Sequence, residues 1–223
     1  MARARCSSEL SGELSGDALG NDAFAFGTSR EIEIGYAVVR ANRITYVGEL
    51  GWELYIPAEF AGHVFERIVE AGARHGLKLA GFHAMNACRT EKGYRHWGHD
   101  IGIEDTPLEA GLAFTCAWDK PGGFIGREAL LAQRGKSTPA KRLLQFRLED
   151  GEALVYHEEL IFADGEAVGV VTSGMYGHRV EGSLAMGYVR RPHPVTPEWI
   201  AATRFEIGVG ARRVRARAAR CVV

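Results

Sequence analysis

Glu49 stands in the stretch "YVGELGWELYIP" (Tyr46–Pro57), with Gly48 before it and Gly51 two residues on. Glu is a poor strand former and Gly weakens a strand interior, whereas the flanking "RITYV" and "WELYI" are rich in strand formers. The pattern predicts strand, Gly-flanked turn, strand, with a carboxylate at the turn that rigid flanks can aim at a ligand. Arg89 and Glu91 in "CRTEKGY" are two apart, so on a helix they diverge. Arg89 is then free to face a cleft while Glu91 faces solvent or a cap; the plain alternative is two surface charges. "HWGHD" holds His96, His99 and Asp100, with His83 and Glu91 upstream. An HxxH pair binds zinc only if further ligands converge, and neither HExxH nor a second ligand pair is present. A solvated turn after a helix, without zinc, is the expectation. In "ARRVRARAAR" Arg213, Arg215 and Arg217 alternate with Val214, Ala216 and Ala218, which reads as an edge strand with one charged face rather than a nucleic-acid site. There is no P-loop, no GxGxxG between strand and helix, and no GxSxG elbow.

Residues of this kind need a scaffold, and 223 residues suffice for one large domain or two small ones. A net charge of -1 gives no global field toward nucleic acid or an anionic membrane. The apolar runs are too short to span a bilayer. "MARARCSSELSGELSG" lacks the apolar h-region of a signal peptide. The four cysteines, Cys6, Cys88, Cys116 and Cys221, form no CxxC pair. They fit a reducing compartment, with Cys88 and Cys116 as small core residues.

A short helix is expected over Ala2–Leu10, then loop to Asp22. "EIEIGYAVVR" reads as one half-buried strand and "ANRITYV" as a second. Phe60, Val64, Phe65, Ile68 and Val69 form a helical stripe, closed by Gly76 at C′. Further helices are expected over Ala84–Tyr94 and over Arg127–Arg134, the latter ended by Gly135. The whole implies an α+β fold, a sheet layer with helices. "GKSTPAK" (135–141) is read as a boundary between domains 1–137 and 138–223. Beyond it no long helix is expected. Short apolar runs separated by Gly, Asp or Pro predict a small antiparallel barrel or sandwich.

The ordered motifs "YVGELGWEL", "GFHAMNACRTEKGYRHWGHDI", "TPLEAGLAF", "GGFIGREAL" and "GVVTSGMYG…LAMGYV" together resemble the aminomethyltransferase family, which includes the T-protein of the glycine cleavage system. The segment "FGTSREIEIGYAVVRANRITYVGELGWELYIP" is closer to the C-terminal folate-binding region of sarcosine and dimethylglycine dehydrogenases. The resemblance covers roughly residues 1–209. It implies a partial folate-binding fold followed by a β-barrel domain. The implied chemistry is transfer of a one-carbon unit from a small amine to tetrahydrofolate, with FAD confined to a separate domain or chain. Glu49 matches the acid that holds the pterin, whose ring N–H and exocyclic amine are two parallel donors for one carboxylate. Arg89 matches an arginine that helps organise the folate site. Tyr46 and Phe114 are candidate aromatic walls, although the family often has Trp in place of Phe114.

The family's N-terminal aspartate, which handles the folate nitrogen, has no match here, since Asp17 and Asp22 lie in unlike sequence. No catalytic residue is therefore assigned. The expectation is a piece of a larger enzyme: a gene fragment or one subunit of a split protein. A non-catalytic folate-binding module and a truncated product are the alternatives. Expected partners are folate, a small amine and a flavin-containing domain or subunit, with neither nucleic acid nor membrane. The expected compartment is the cytoplasm, or the mitochondrial matrix in a eukaryote.

Overall fold

The alternation in "EIEIGYAVVR" builds a hairpin and not one strand. Strand β1 (Ser29–Ile34) and β2 (Ala37–Asn42) pair antiparallel from Ser29↔Asn42 to Ile34↔Ala37. The reversal is the two-residue turn Gly35–Tyr36, with Gly35 at φ +62, the backbone that a tight hairpin asks of its first turn residue. A Cβ there would also sit 2.2 Å from His63 Nε2, so the His63 ring would have to move. The Tyr36 ring stacks on His63 at 3.6 Å. The expected strand "RITYV" does not form. After β2 the chain runs irregularly to β3 (Glu53–Tyr55), which pairs with β2 and completes a sheet of order β1-β2-β3.

The computed structural model describes residues 14–15, 19–136 and 138–220. The expected helix Ala2–Leu10, Asp17, Cys6 and Cys221 lie outside the described residues. The chain divides into two compact units, Met1–Met85 and Asn86–Val223.

In the first unit, one face of the sheet buries Ile32, Ile34, Ala37, Val39 and Ala41 in a cluster with Val64, Phe24 and Leu19. Each fully buried Ile or Val contributes about 1.5–3 kcal/mol. Val64 belongs to helix α1 (Ala61–Ala73), which carries the predicted stripe, although Phe65 lies outside it and is 52% exposed. Gly76, at φ +70, closes the helix as expected. The Leu77 N–H donates to Gly72 O and the Gly76 N–H to Ala73 O, the paired bonds of a Schellman end.

Helix α2 (Phe82–Glu91) stops three residues before the predicted Tyr94. Gly93, at φ +64, takes the C′ position, and the Tyr94 N–H returns to Arg89 O. Helix α3 (Arg127–Lys136) passes through Gly135, whose φ stays outside the left-handed region, so it does not act as a cap.

In the second unit, strands β4 (Lys141–Leu148), β5 (Leu160–Ala163), β6 (Glu166–Gly177), β7 (Gly182–Arg190), β8 (Phe205–Val209) and β9 (Arg212–Ala219) form a closed antiparallel barrel, order β4-β7-β6-β5-β8-β9. The expected α+β fold with a terminal barrel is therefore present. Strand β9 does alternate exposed Arg213, Arg215 and Arg217 with buried Val214 and Ala216. It is not an edge, however, since it pairs with both β4 and β8. Closure leaves no free edge to protect. Helix α4 (Pro197–Ala202) was not anticipated; it is only six residues long, started by Thr196 accepting from the Trp199 N–H and by Pro197 in the first turn.

Candidate functional site

Glu49 and Tyr46 share the irregular segment between β2 and β3, and both are half-buried. Gly48, at φ +72, makes the local reversal. The segment is braced by Arg43, a residue not singled out from sequence. Arg43 is 6% exposed, donates from Nη1 to Gly51 O at 2.9 Å and from Nη2 to Asn21 Oδ1 at 2.7 Å, and lies over the Trp52 ring at 4.7 Å. A charged residue one position after a strand is no signal in itself, so sequence gave no warning of this role. Around the same segment the buried Arg43 Nε, Thr45 Oγ1 and Trp52 Nε1 have no hydrogen-bond partner among the described residues. Such atoms are rare in folded proteins and call for a partner.

Arg89 is almost fully enclosed, at 1% exposure. Its Nε donates to Asn86 Oδ1 at 2.5 Å, Nη1 to Tyr94 O at 3.1 Å and to Asp100 Oδ2 at 2.5 Å, and Nη2 to Ser173 Oγ at 2.8 Å. Four of its five N–H groups are thus committed. Asp100 is wholly buried; its Oδ1 accepts from Thr172 Oγ1 at 2.5 Å, and its Oδ2 also accepts from the His96 N–H at 2.9 Å. The expectation of a solvated turn at "HWGHD" fails for this residue, which is the counter-ion of Arg89.

Thr172 and Ser173 are neighbours in β6, so on a regular strand they would face opposite ways. The β6–β7 register shifts between Val171 and Ser173. This bulge, with Thr172 as the extra residue, lets both hydroxyls reach one ion pair.

Glu91 also departs from expectation: it is 7% exposed, and its Oε1 accepts the Arg179 N–H at 2.6 Å. Thr90 O accepts from Gln145 Nε2 at 2.6 Å. The last turn of α2 is therefore tied to the barrel at three successive residues.

Phe114 is 81% exposed on a 3-10 turn, Ala113–Thr115, and is not among the partners of Arg89. Cys88 is exposed and Cys116 half-buried, so neither is the core residue expected. The His96 and His99 rings lie 4.6 Å apart. Burial first, then the neighbouring His99 and Arg89, lower the His96 pKa. Among the described residues no group of three His, Cys, Asp or Glu could hold a metal, and no helix is long and apolar enough to cross a membrane.

Residues 6–120 match the family model "GCVT N-terminal domain", and residues 141–222 match "Glycine cleavage T-protein C-terminal barrel domain". The chain is 44% identical over 172 residues to a 4-methylaminobutanoate oxidase (formaldehyde-forming) of Paenarthrobacter nicotinovorans, covering 77% of this chain and 21% of that one. It is 41% identical over 191 residues to the mitochondrial sarcosine dehydrogenase of Homo sapiens, covering 85% of this chain and 21% of the relative. The crystal structure of glycine cleavage system aminomethyltransferase T from Bartonella henselae shares the fold, with a TM-score of 0.74 at 23% identity, over 96% of this chain and 54% of that one. The chain thus spans about a fifth of the length of the two curated relatives. With a matched N-terminal domain, a matched barrel and these relatives, the chain belongs to the glycine cleavage T-protein (GCVT) family of aminomethyltransferase-like proteins.

Proposed function

We propose that this chain is the folate-binding portion of an aminomethyltransferase-like enzyme. The enzyme transfers a one-carbon (methylene) unit from an amine such as glycine, sarcosine or dimethylglycine to tetrahydrofolate. The observation that carries the reading is Glu49 next to the Gly48 reversal, on a segment braced by the buried Arg43. The Glu49 carboxylate would accept the two parallel donors of the pterin edge, fixing ring orientation through a charge-assisted pair. Tyr46, on the same segment, would supply an apolar face for a flat ligand. Arg89 is a positioning residue: with four N–H groups committed inside the protein, it holds the end of α2 and does not reach for a ligand. Tetrahydrofolate, when bound, supplies the nucleophilic nitrogen that receives the carbon. No residue of this chain is assigned the proton transfer. A flavin domain or subunit, if one accompanies the chain, would perform any prior oxidation.

Calorimetry with tetrahydrofolate tests the reading. Saturable binding that Glu49→Gln weakens strongly is expected. Binding unaffected by that change would make the acid structural.

A further inference from the structure

The Arg43 side chain crosses the loop that carries Glu49. From the position just after β2, its Nη1 donates to Gly51 O, eight residues further on, at 2.9 Å. Its guanidinium also lies over the Trp52 ring at 4.7 Å. One side chain thus clips the entry of the loop to its exit, with the Gly48 reversal and Glu49 inside the clip. The rest of the fork is anchored. Nη2 donates to Asn21 Oδ1 at 2.7 Å, in a turn where the Ala23 and Phe24 N–H groups both donate to Gly20 O. Leu19 and Phe24, on either side of that turn, are buried in the core cluster of the sheet, and Trp52 packs against the same cluster. The Arg43 backbone is fixed as well: its N–H donates to Thr28 O and its carbonyl accepts from the Gly27 N–H, both at 2.9 Å.

A buried guanidinium usually offsets its lost hydration with a carboxylate. Arg43 has none within ion-pair distance among the described residues, and its donors go to a loop carbonyl and a turn amide instead. What its burial secures is the shape of the loop.

We propose that Arg43 is a positioning residue for the pterin and acts through Glu49. It orders the loop before the ligand arrives, so that binding does not have to meet the entropy of ordering it. The inference rests on the folate reading and adds to it a residue that touches no ligand itself.

The test compares the whole chain with Arg43→Lys and with Asn21→Ala. Lysine keeps the charge but presents its donors from one atom, so it does not reproduce the fork. Asn21→Ala, at an exposed position, removes the anchor alone. NMR relaxation of the ligand-free chains should show the backbone of 44–52 loosened in both variants, with β1, β2 and α1 unchanged. Calorimetry should show tetrahydrofolate bound about tenfold more weakly by Arg43→Lys, roughly the loss of one hydrogen bond. In the Glu49→Gln background the same change should weaken binding no further, because the group it acts through is gone. A merely structural loss would be equal in both backgrounds. Arg40→Gln, which breaks the exposed contacts to Glu31 and Ser29, should alter neither readout. A parent chain that binds no tetrahydrofolate would overturn the folate reading and this proposal together. A parent that binds, with Arg43→Lys binding as tightly or losing the same factor in both backgrounds, would overturn the proposal and leave the folate reading standing. A loop that stays ordered in Arg43→Lys would overturn the proposal whether or not folate binds.

Discussion

Arg89 Nη1 meets Asp100 Oδ2 at 2.5 Å with side-chain exposures of 1% and 0%. Two charges this deeply buried lose their hydration. The loss is offset only because Asn86, Tyr94, Thr172, Ser173 and the His96 N–H satisfy most of what remains of both groups. Asp100→Ala leaves the guanidinium uncompensated and should cost about 3–5 kcal/mol in stability. The double change Arg89→Met with Asp100→Leu should be milder than Asp100→Ala alone, because no orphan charge is left. Urea denaturation of the three proteins decides it. A double variant no more stable than Asp100→Ala would show that the pair is not the dominant feature of this network.

Glu49→Gln replaces one acceptor by a donor while keeping size. Against two pterin donors it should cost on the order of 2–4 kcal/mol of binding, roughly 30-fold to 1000-fold. Arg89→Lys, which acts through position alone, should weaken tetrahydrofolate binding less. Calorimetry on the chain, and on a longer protein containing it, makes the comparison.

His96 is half-buried, and its pKa is lowered by burial and by neighbouring cations. Between its unfolded value near 6.5 and its lower folded value, the unfolded chain binds more protons. Stability should therefore rise with pH through that window and fall as acid is added. His96→Gln should flatten the slope there. An NMR titration placing His96 at or above an ordinary histidine would contradict the direction.

The segment 135–141 is proposed as the boundary between domains 1–137 and 138–223. Limited proteolysis should cut within 135–141 first, since boundaries fall in exposed, polar segments. First cleavage inside 160–190, where β5, β6 and β7 lie, would place the boundary elsewhere.

Zinc is not expected to bind, because among the described residues no third ligand converges on His96 and His99. Elemental analysis should find none. Stoichiometric zinc removed by His96→Ala with His99→Ala would reverse that expectation.

Much of the architecture was legible in sequence because it rests on local physics. The period of the Val64 stripe, Gly76 at a helix end and the short apolar runs after Pro139 are one-dimensional patterns with direct backbone consequences. The ordered motifs pointed to the GCVT family for the same reason: each is a continuous stretch. Other features depended on partners distant in the chain. Whether β9 was an edge depended on β4 arriving from the far side to close the barrel. Asp100 read as a turn acid, and only the fold placed it in a dry interior against Arg89, with Thr172 turned toward it by a bulge. Burial is a property of three-dimensional neighbours. The sequence determined which residues could carry charge or turn the chain, and the tertiary structure decided which charges lost their water and were left to bind one another.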